Sequence, residues 1–244
     1  MIIYGWNPVR EALRSHPGKV RYVAVVRDHG GKVQKLIDEA RSAGVAIRFL
    51  APEQLEKLAG SGVHNGVVAE MAEATYSDFD QRIQEAKFVL ILDGIQDPQN
   101  FGAILRVADA FAVDLVVIPE HESVGLTPTA IKASAGASEW VKVAMVTNLA
   151  RTIEELKKRE FWIYGAAAGG DPLSEIDFSG KVAIVVGSEG KGIRRNVLEH
   201  CDRTVAIPML GQVSSLNVAA ATVHSIRWQY ERPECKRIIG DAGH

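Results

Sequence analysis

Apolar residues fall into short unbroken runs separated by stretches in which they recur every three or four positions, so the pattern predicts strands alternating with helices. Asn7-Pro8 reads as an N-cap followed by proline at the first helical position, and a short helix is expected from Pro8 to about Arg14. The β-branched and aromatic run Tyr22 to Val26 predicts a strand, Lys32 to Ala43 a helix closed by Gly44, and Val45 to Leu50 a second strand. Pro52 opens another helix, and after the turn Gly62-Val63-His64-Asn65 the run Gly66 to Met71 supplies a further strand. Residues 72 to 87, AEATYSDFDQRIQEAK, are polar and lack strong apolar periodicity, which marks a linker with room for one short helix. Beyond it, strands are expected at Phe88 to Leu92, Asp114 to Ile118, Val141 to Val146, Trp162 to Ala166, Val182 to Val186 and Thr204 to Ile207. Helices should follow Asn100, Thr127, Asn148, Ile193 and Asn217. Continuous apolar strands between helices imply an α/β fold with a largely parallel sheet covered on both faces.

Composition narrows the class. With 47% hydrophobic and 24% charged residues among 244, the chain is neither disordered nor fibrous. No apolar run approaches the roughly 18 residues of a membrane span, and Asn7, Pro8 and two arginines interrupt the N-terminus before a signal-peptide core can form, so a cytoplasmic location is expected. Cys201 and Cys235 stand far apart without CxxC spacing, and His64, His121 and His224 show no ligand spacing, so no disulfide framework and no metal site are expected. The net charge of −2 argues against coating nucleic acid through bulk electrostatics. Its distribution changes that picture: residues 1 to 50 carry nine Lys or Arg against four acids, a net of +5, with −7 in the remainder. Two readings remain open, a basic patch on the N-terminal part or charges that solvate helix faces.

Three segments place Gly, Asn, Ser and charged residues just after expected strands, where open α/β sheets bind ligands. The first, DGIQDPQNFGAILR, leads from Asp93 through a loop to Asn100 at the start of a helix and Arg106 in its body. Taken singly, Asn100 is a helix cap and Arg106 one half of a surface ion pair. The second, GSEGKG from Gly187 to Gly192, has three glycines in six residues and so permits positive φ and close approach of a ligand to backbone. It lacks the spacing of Walker A and of the dinucleotide fingerprint, and Glu189 would repel phosphate, so a neutral or cationic ligand such as a sulfonium suits it better. By itself it is a glycine-rich turn. The third, IPMLGQVSSLNVAAA from Ile207 to Ala221, ends a strand and crosses by Gly211 to Ser214, Ser215 and Asn217, which read as caps of a small-residue helix.

In this order the three segments resemble the three motifs of the SpoU (TrmH) branch of the SPOUT methyltransferases, and the resemblance extends from Phe88 to Tyr230, including LTPTAIKASAGASEWVKV between the first two motifs. The N-terminal part, from YGWNPVREAL to VHNGVVA, resembles the L30e-like RNA-binding domain of large-subunit rRNA guanosine 2'-O-methyltransferases; where those have His-Gln-Gly, this chain has His64-Asn65-Gly66. The resemblance implies an L30e-like RNA-binding domain at 1–72, a linker at 73–87, a SPOUT catalytic domain with a deep trefoil knot at 88–232, and a tail at 233–244. It implies S-adenosylmethionine as cofactor, RNA and not DNA or a membrane as partner, and a homodimer. Residue by residue, Asn100, Arg106, Glu189, Ser215 and Asn217 fall on the family's catalytic positions, and Gly187, Ile207, Gly211 and Leu216 on its cofactor-binding positions. The implied reaction is 2'-O-methylation of a ribose, with a guanosine of 23S rRNA as the expected target. A tRNA ribose methyltransferase, an antibiotic-resistance rRNA methylase and a binding protein with a lapsed active site are the alternatives. A nicotinamide-dependent oxidoreductase is disfavoured by the absence of GxGxxG.

Overall fold

The structure, a computed structural model, describes residues 1–27, 31–60, 64–72, 75–172, 176, 180–207 and 216–230. Gly211, Ser215, Cys235 and the tail after Pro233 lie outside these residues. Packing divides the chain into two compact units that do not follow a single cut in the sequence. One comprises Met1–Thr75, Pro98–Arg106 and Gly125–Val141; the other comprises Tyr76–Asp97, Val107–Val124 and Lys142–His244.

The first unit is built on a four-stranded mixed sheet. Strands β1 (Ile2–Tyr4), β2 (Val20–Val26), β3 (Ala46–Leu50) and β4 (Val67–Met71) lie in the order β1-β4-β2-β3, with β2 and β3 parallel and the other pairs antiparallel. Successive side chains alternate between faces. Ile3, Val23, Val25 and Ala69 enter one core with helices α1 (Trp6–Ser15) and α2 (Gly31–Ser42). Tyr4, Tyr22, Ala24 and Val68 face Leu55 of α3 (Pro52–Ala59) in another. Helix α1 starts earlier than expected, and the N-cap place is taken by Gly5 at φ 96° instead of Asn7. A glycine can leave the strand at that angle without a Cβ penalty. Strand β1 has only three residues, too few to display an alternation.

Most of α5 (Pro98–Ala110) and all of α6 (Pro128–Ala133) belong to this unit: α6 sends Ile131 into the same core as α1 and α2, and Thr127 caps it by accepting the Ala130 N–H. Gly102 of α5 has no room for a side chain, since a Cβ there would sit 2.4 Å from the Ala133 Cβ and 2.5 Å from the Ala130 carbonyl oxygen.

Nearby, Glu139 lies beneath the end of α1 with its Oε2 3.5 Å from Nδ1 of His16. Burial pushes its carboxyl above the usual range, with the charges of His16 and Lys19 pulling back against it. A carboxyl that holds its proton more tightly folded than unfolded makes stability fall as pH rises from its unfolded pKa through its folded one. Glu139→Gln is therefore expected to raise the thermal midpoint at pH 7.5, and to raise it more there than at pH 5; a gain that did not depend on pH would show the carboxyl to be innocent.

The second unit is a six-stranded, wholly parallel sheet. Its strands are β5 (Phe88–Asp93), β6 (Leu115–Pro119), β7 (Val143–Val146), β8 (Phe161–Pro172), β9 (Lys181–Gly187) and β10 (Arg203–Ala206), in the order β10-β8-β9-β5-β6-β7. A short helix α4 (Phe79–Arg82), capped by Asp78, supplies Ile83 just beyond it to one core, together with Leu149, Ile153 and Leu156 around α7 (Leu149–Lys157). Leu90, Leu92, Ile184 and Val186 point the other way and are as fully buried; the short α8 (Arg195–Leu198) follows β9, and α9 (Val218–Tyr230) packs along β9. Strand β8 runs past its expected end at Ala166, and its register with β10 jumps from Gly165 opposite Thr204 to Asp171 opposite Val205. The intervening AAAGG has no β-branched side chain to announce a strand, and a Cβ on Gly170 would lie 2.5 Å from the Thr204 backbone.

The chain proceeds outward from β5 through β6 to β7, then starts again on the far side with β8 and inserts β9 beside β5. The order therefore reverses between β5 and β9, and the carboxyl ends of strands at such a point are where open α/β sheets accept ligands.

Candidate functional site

Strand β9 is buried along its whole apolar length and ends at Gly187, in register with Asp93 at the end of β5. Gly187 has to be glycine: a Cβ would fall 2.0 Å from the carbonyl carbon of Gly192 and 2.2 Å from the Ile193 nitrogen. The five residues that follow close on themselves, the Ser188 N–H donating to the Gly192 carbonyl at 3.2 Å and the Gly192 N–H to the Ser188 carbonyl at 2.8 Å. Gly190 and Gly192 hold φ of 82° and 68°, which a side chain would oppose.

This loop forms one wall of a cleft of about 440 Å³. Ala166 to Ala168 of β8 form another, and Ile207, Leu216, Val218 and Ala221 come from the third motif. The lining is mostly small or apolar side chains and loop backbone, with Glu189 and Lys191 as charged side chains, both exposed. A space of this size and character accepts a nucleoside-sized ligand through backbone hydrogen bonds, with the Glu189 carboxylate in its lining. Asn217 stands between two lining residues and its Oδ1 accepts the Ala219 N–H at 3.0 Å, so it caps the first turn of α9.

A model described as the SpoU rRNA Methylase family matches residues 87–224. The chain belongs to that family. A second model, described as RNA 2'-O ribose methyltransferase substrate binding, matches residues 2–77. Across 228 residues the chain is 40% identical to the 23S rRNA (guanosine-2'-O-)-methyltransferase RlmB of Pectobacterium atrosepticum, covering 91% of this chain and 93% of the relative. It is 39% identical over 228 residues to the RlmB of Pseudomonas aeruginosa, with 90% and 92% covered. In fold it is similar to the SpoU methyltransferase AviRb from Streptomyces viridochromogenes, solved in complex with the cofactor AdoMet, at a TM-score of 0.79 and 24% identity over 94% of this chain and 88% of AviRb. This SpoU chain is therefore an RNA methyltransferase.

Four of the expected site residues of the SpoU chain, Gly187, Glu189, Ile207 and Leu216, meet in the one cleft, and Asn217 adjoins it. Asn100 is the third residue of α5, half-buried, because the helix begins at Pro98, two residues before the expected start. Arg106, six residues on, lies exposed on the same helix and so avoids the cost of a buried guanidinium. Among the described residues no helix is long and apolar enough to cross a membrane.

The reading from sequence did not single out Asp93, Glu122 and Arg194. The Asp93 carboxylate is fully buried; its Oδ2 accepts the Arg194 backbone N–H at 2.7 Å, and its Oδ1 lies 2.7 Å from both Nε and Nη2 of the Arg194 side chain. Nη1 of the same guanidinium donates to Glu122 at 2.8 Å. A carboxylate that ends an otherwise apolar strand was the available signal, since it must find a partner. The partner is 101 residues away and nothing local points to it.

Cys201 packs under Gly165 in this unit, and burial pushes its thiol up to about 11, with Lys157 pulling the other way. With Cys235 replaced by serine, alkylation of the remaining thiol at pH 8 should run about a hundredfold slower than that of free cysteine, because so little thiolate is present. A rate equal to that of free cysteine would remove the burial effect.

Proposed function

We propose that this chain transfers the methyl group of S-adenosylmethionine to the ribose 2'-oxygen of a guanosine in large-subunit rRNA. The observation that carries the proposal is the match of about nine-tenths of the chain, at 40% identity, to the RlmB of Pectobacterium atrosepticum, a 23S rRNA guanosine 2'-O-methyltransferase. The cleft fits the cofactor in size, in its backbone-rich lining and in the carboxylate of Glu189. Bound there, S-adenosylmethionine supplies an electrophilic methyl group.

The remaining work falls to the chain. In the proposal, Gly187, Ile207, Gly211 and Leu216 hold the cofactor, chiefly through backbone groups. The 2'-hydroxyl must be brought in line with the methyl group and must lose its proton. Arg106 is assigned to bind the phosphate beside the target ribose and to stabilise the developing 2'-oxyanion. A guanidinium holds its proton throughout the physiological pH range, so this clamp is chemically easier than a role as general base. Asn100 and Asn217 orient the ribose, Ser215 steadies the third-motif loop, and Glu189 orients that loop or Arg106. Residues 1–72 form an L30e-like domain that carries the RNA, joined by 73–87 to a catalytic domain at 88–232. Insertion of β9 between β5 and β8, with α9 packed back along β9, supports a trefoil knot through the second and third motifs. A cytoplasmic homodimer is the working assembly.

Transfer of labelled methyl from S-adenosylmethionine to protein-free 23S rRNA, to tRNA and to ribosomal precursors, followed by mapping of the ribose, tests this. Label on a single 23S guanosine is the expected result. Label on tRNA alone would overturn the substrate, and binding of RNA without any transfer would leave a binding protein.

A further inference from the structure

We infer that Asp93, Arg194 and Glu122 are positioning residues that lock the Ser188–Gly192 loop in the pose which binds the cofactor, an inference that rests on the methyl-transfer reading above. The loop is closed internally by its two Ser188–Gly192 hydrogen bonds, so it can move only as one piece, about its entry and its exit. The entry is Gly187, held in the sheet opposite Asp93. The exit is Arg194, two residues past Gly192, and Asp93 grips both its backbone N–H and its side chain. Asp93 at the end of β5 thus holds both ends of the wall that β9 presents to the cleft, the entry through its register in the sheet and the exit through its carboxylate.

Glu122 adds a third anchor. It holds a φ of 60°, unusual for a residue with a side chain, and pairs with the Arg194 nitrogen that Asp93 does not use. Its own segment is tied to the loop after β5, where the Val124 N–H donates to the Ile95 carbonyl at 2.8 Å. The end of β5 and the loops that follow β6 and β9 are therefore joined through one guanidinium. Only a planar fork reaches both carboxylates, so lysine at 194 cannot replace arginine. An ion pair whose carboxylate is buried is a poor device for stability alone, because desolvation of that carboxylate offsets much of the attraction. Here it fixes Arg194, the neighbour in sequence of the cleft-lining Ile193, where a displacement of about 1 Å can cost up to about a hundredfold in function.

The test uses the full chain carrying Arg194→Lys, Arg194→Ala or Glu122→Ala. Side chains 194 and 122 are 42% and 65% exposed, so these variants should fold even if Asp93→Asn does not. Four quantities are measured: the Kd for S-adenosylmethionine by calorimetry, the separate KM values for cofactor and RNA, and hydrogen exchange of amides 188–194 without ligand. The Arg194 variants are expected to raise Kd and KM for the cofactor about 10- to 100-fold, to leave KM for RNA unchanged, and to speed exchange in the loop. Glu122→Ala should move the same quantities in the same direction by less. Unchanged affinity in the Arg194 variants, with or without faster exchange, would overturn the lock, as would an equal rise in both KM values. Wild-type protein that binds no S-adenosylmethionine, while the variants still lose loop protection, would overturn the cofactor assignment and not the mechanical link.

Discussion

Arg106→Ala should lower methyl transfer by roughly 10²- to 10³-fold, the usual cost of removing one donor aimed at a developing oxyanion. Affinity for S-adenosylmethionine should stay within about twofold. The side chain is exposed, so the thermal midpoint should also hold, surface substitutions of this kind usually changing stability by no more than about 0.5 kcal/mol. Lysine keeps the charge but not the planar fork, and Arg106→Lys is expected to recover only part of the loss. The measurement is single-turnover transfer to the mapped RNA target with cofactor saturating. Near-normal turnover in Arg106→Lys would sink both the clamp and a general-base role for this residue. A fall in cofactor affinity as large as the fall in rate would instead move Arg106 from the RNA side of the reaction to the cofactor side.

Gly187→Ala should have the largest effect on the cleft itself. The new methyl would meet the backbone of Gly192 and Ile193 at 2.0 to 2.3 Å, and backbone cannot rotate aside as a flexible side chain does. The loop has to shift. Overpacking of this kind costs about 1–3 kcal/mol, which for a chain of this size corresponds to a midpoint lower by roughly 2–12 °C. Displacement of the wall that lines the cleft should weaken binding of S-adenosylmethionine by about a hundredfold or more. Calorimetric titration beside a thermal melt separates the two effects, and a variant that melts early yet binds normally would leave Gly187 as a purely structural residue. Gly190→Ala provides the contrast: no atom crowds a Cβ there, so only the strain of its φ of 82° is felt.

Much of this was legible along the chain because it depends on neighbours a few residues apart. Strands β2, β5, β6 and β9 are announced by short apolar runs, and α2, α3 and α7 by their periodicity and by Gly44, Pro52 and Asn148 at their ends. The resemblance to the SpoU family implied Gly187, Glu189, Ile207 and Leu216 as site residues, and all four line one cleft. Strand β1 was missed because three residues carry no period, and the end of β8 because alanine and glycine form a strand there only against the backbone of β10. The cap expected at Asn7 went to Gly5, since the angle at which the chain leaves β1 outweighs side-chain preference.

Local pattern by itself determined that this is an α/β chain and which loops follow its strands, for periodicity and turn chemistry act over one or two turns of chain; the order of its motifs carried the resemblance to the SpoU family. Only the tertiary structure decided that Ile131 joins the core formed by α1 and α2, that β9 lies beside β5, and that Asp93 reaches Arg194. Those contacts join residues about a hundred positions apart, and a buried carboxylate specifies that it needs a cation without specifying which one.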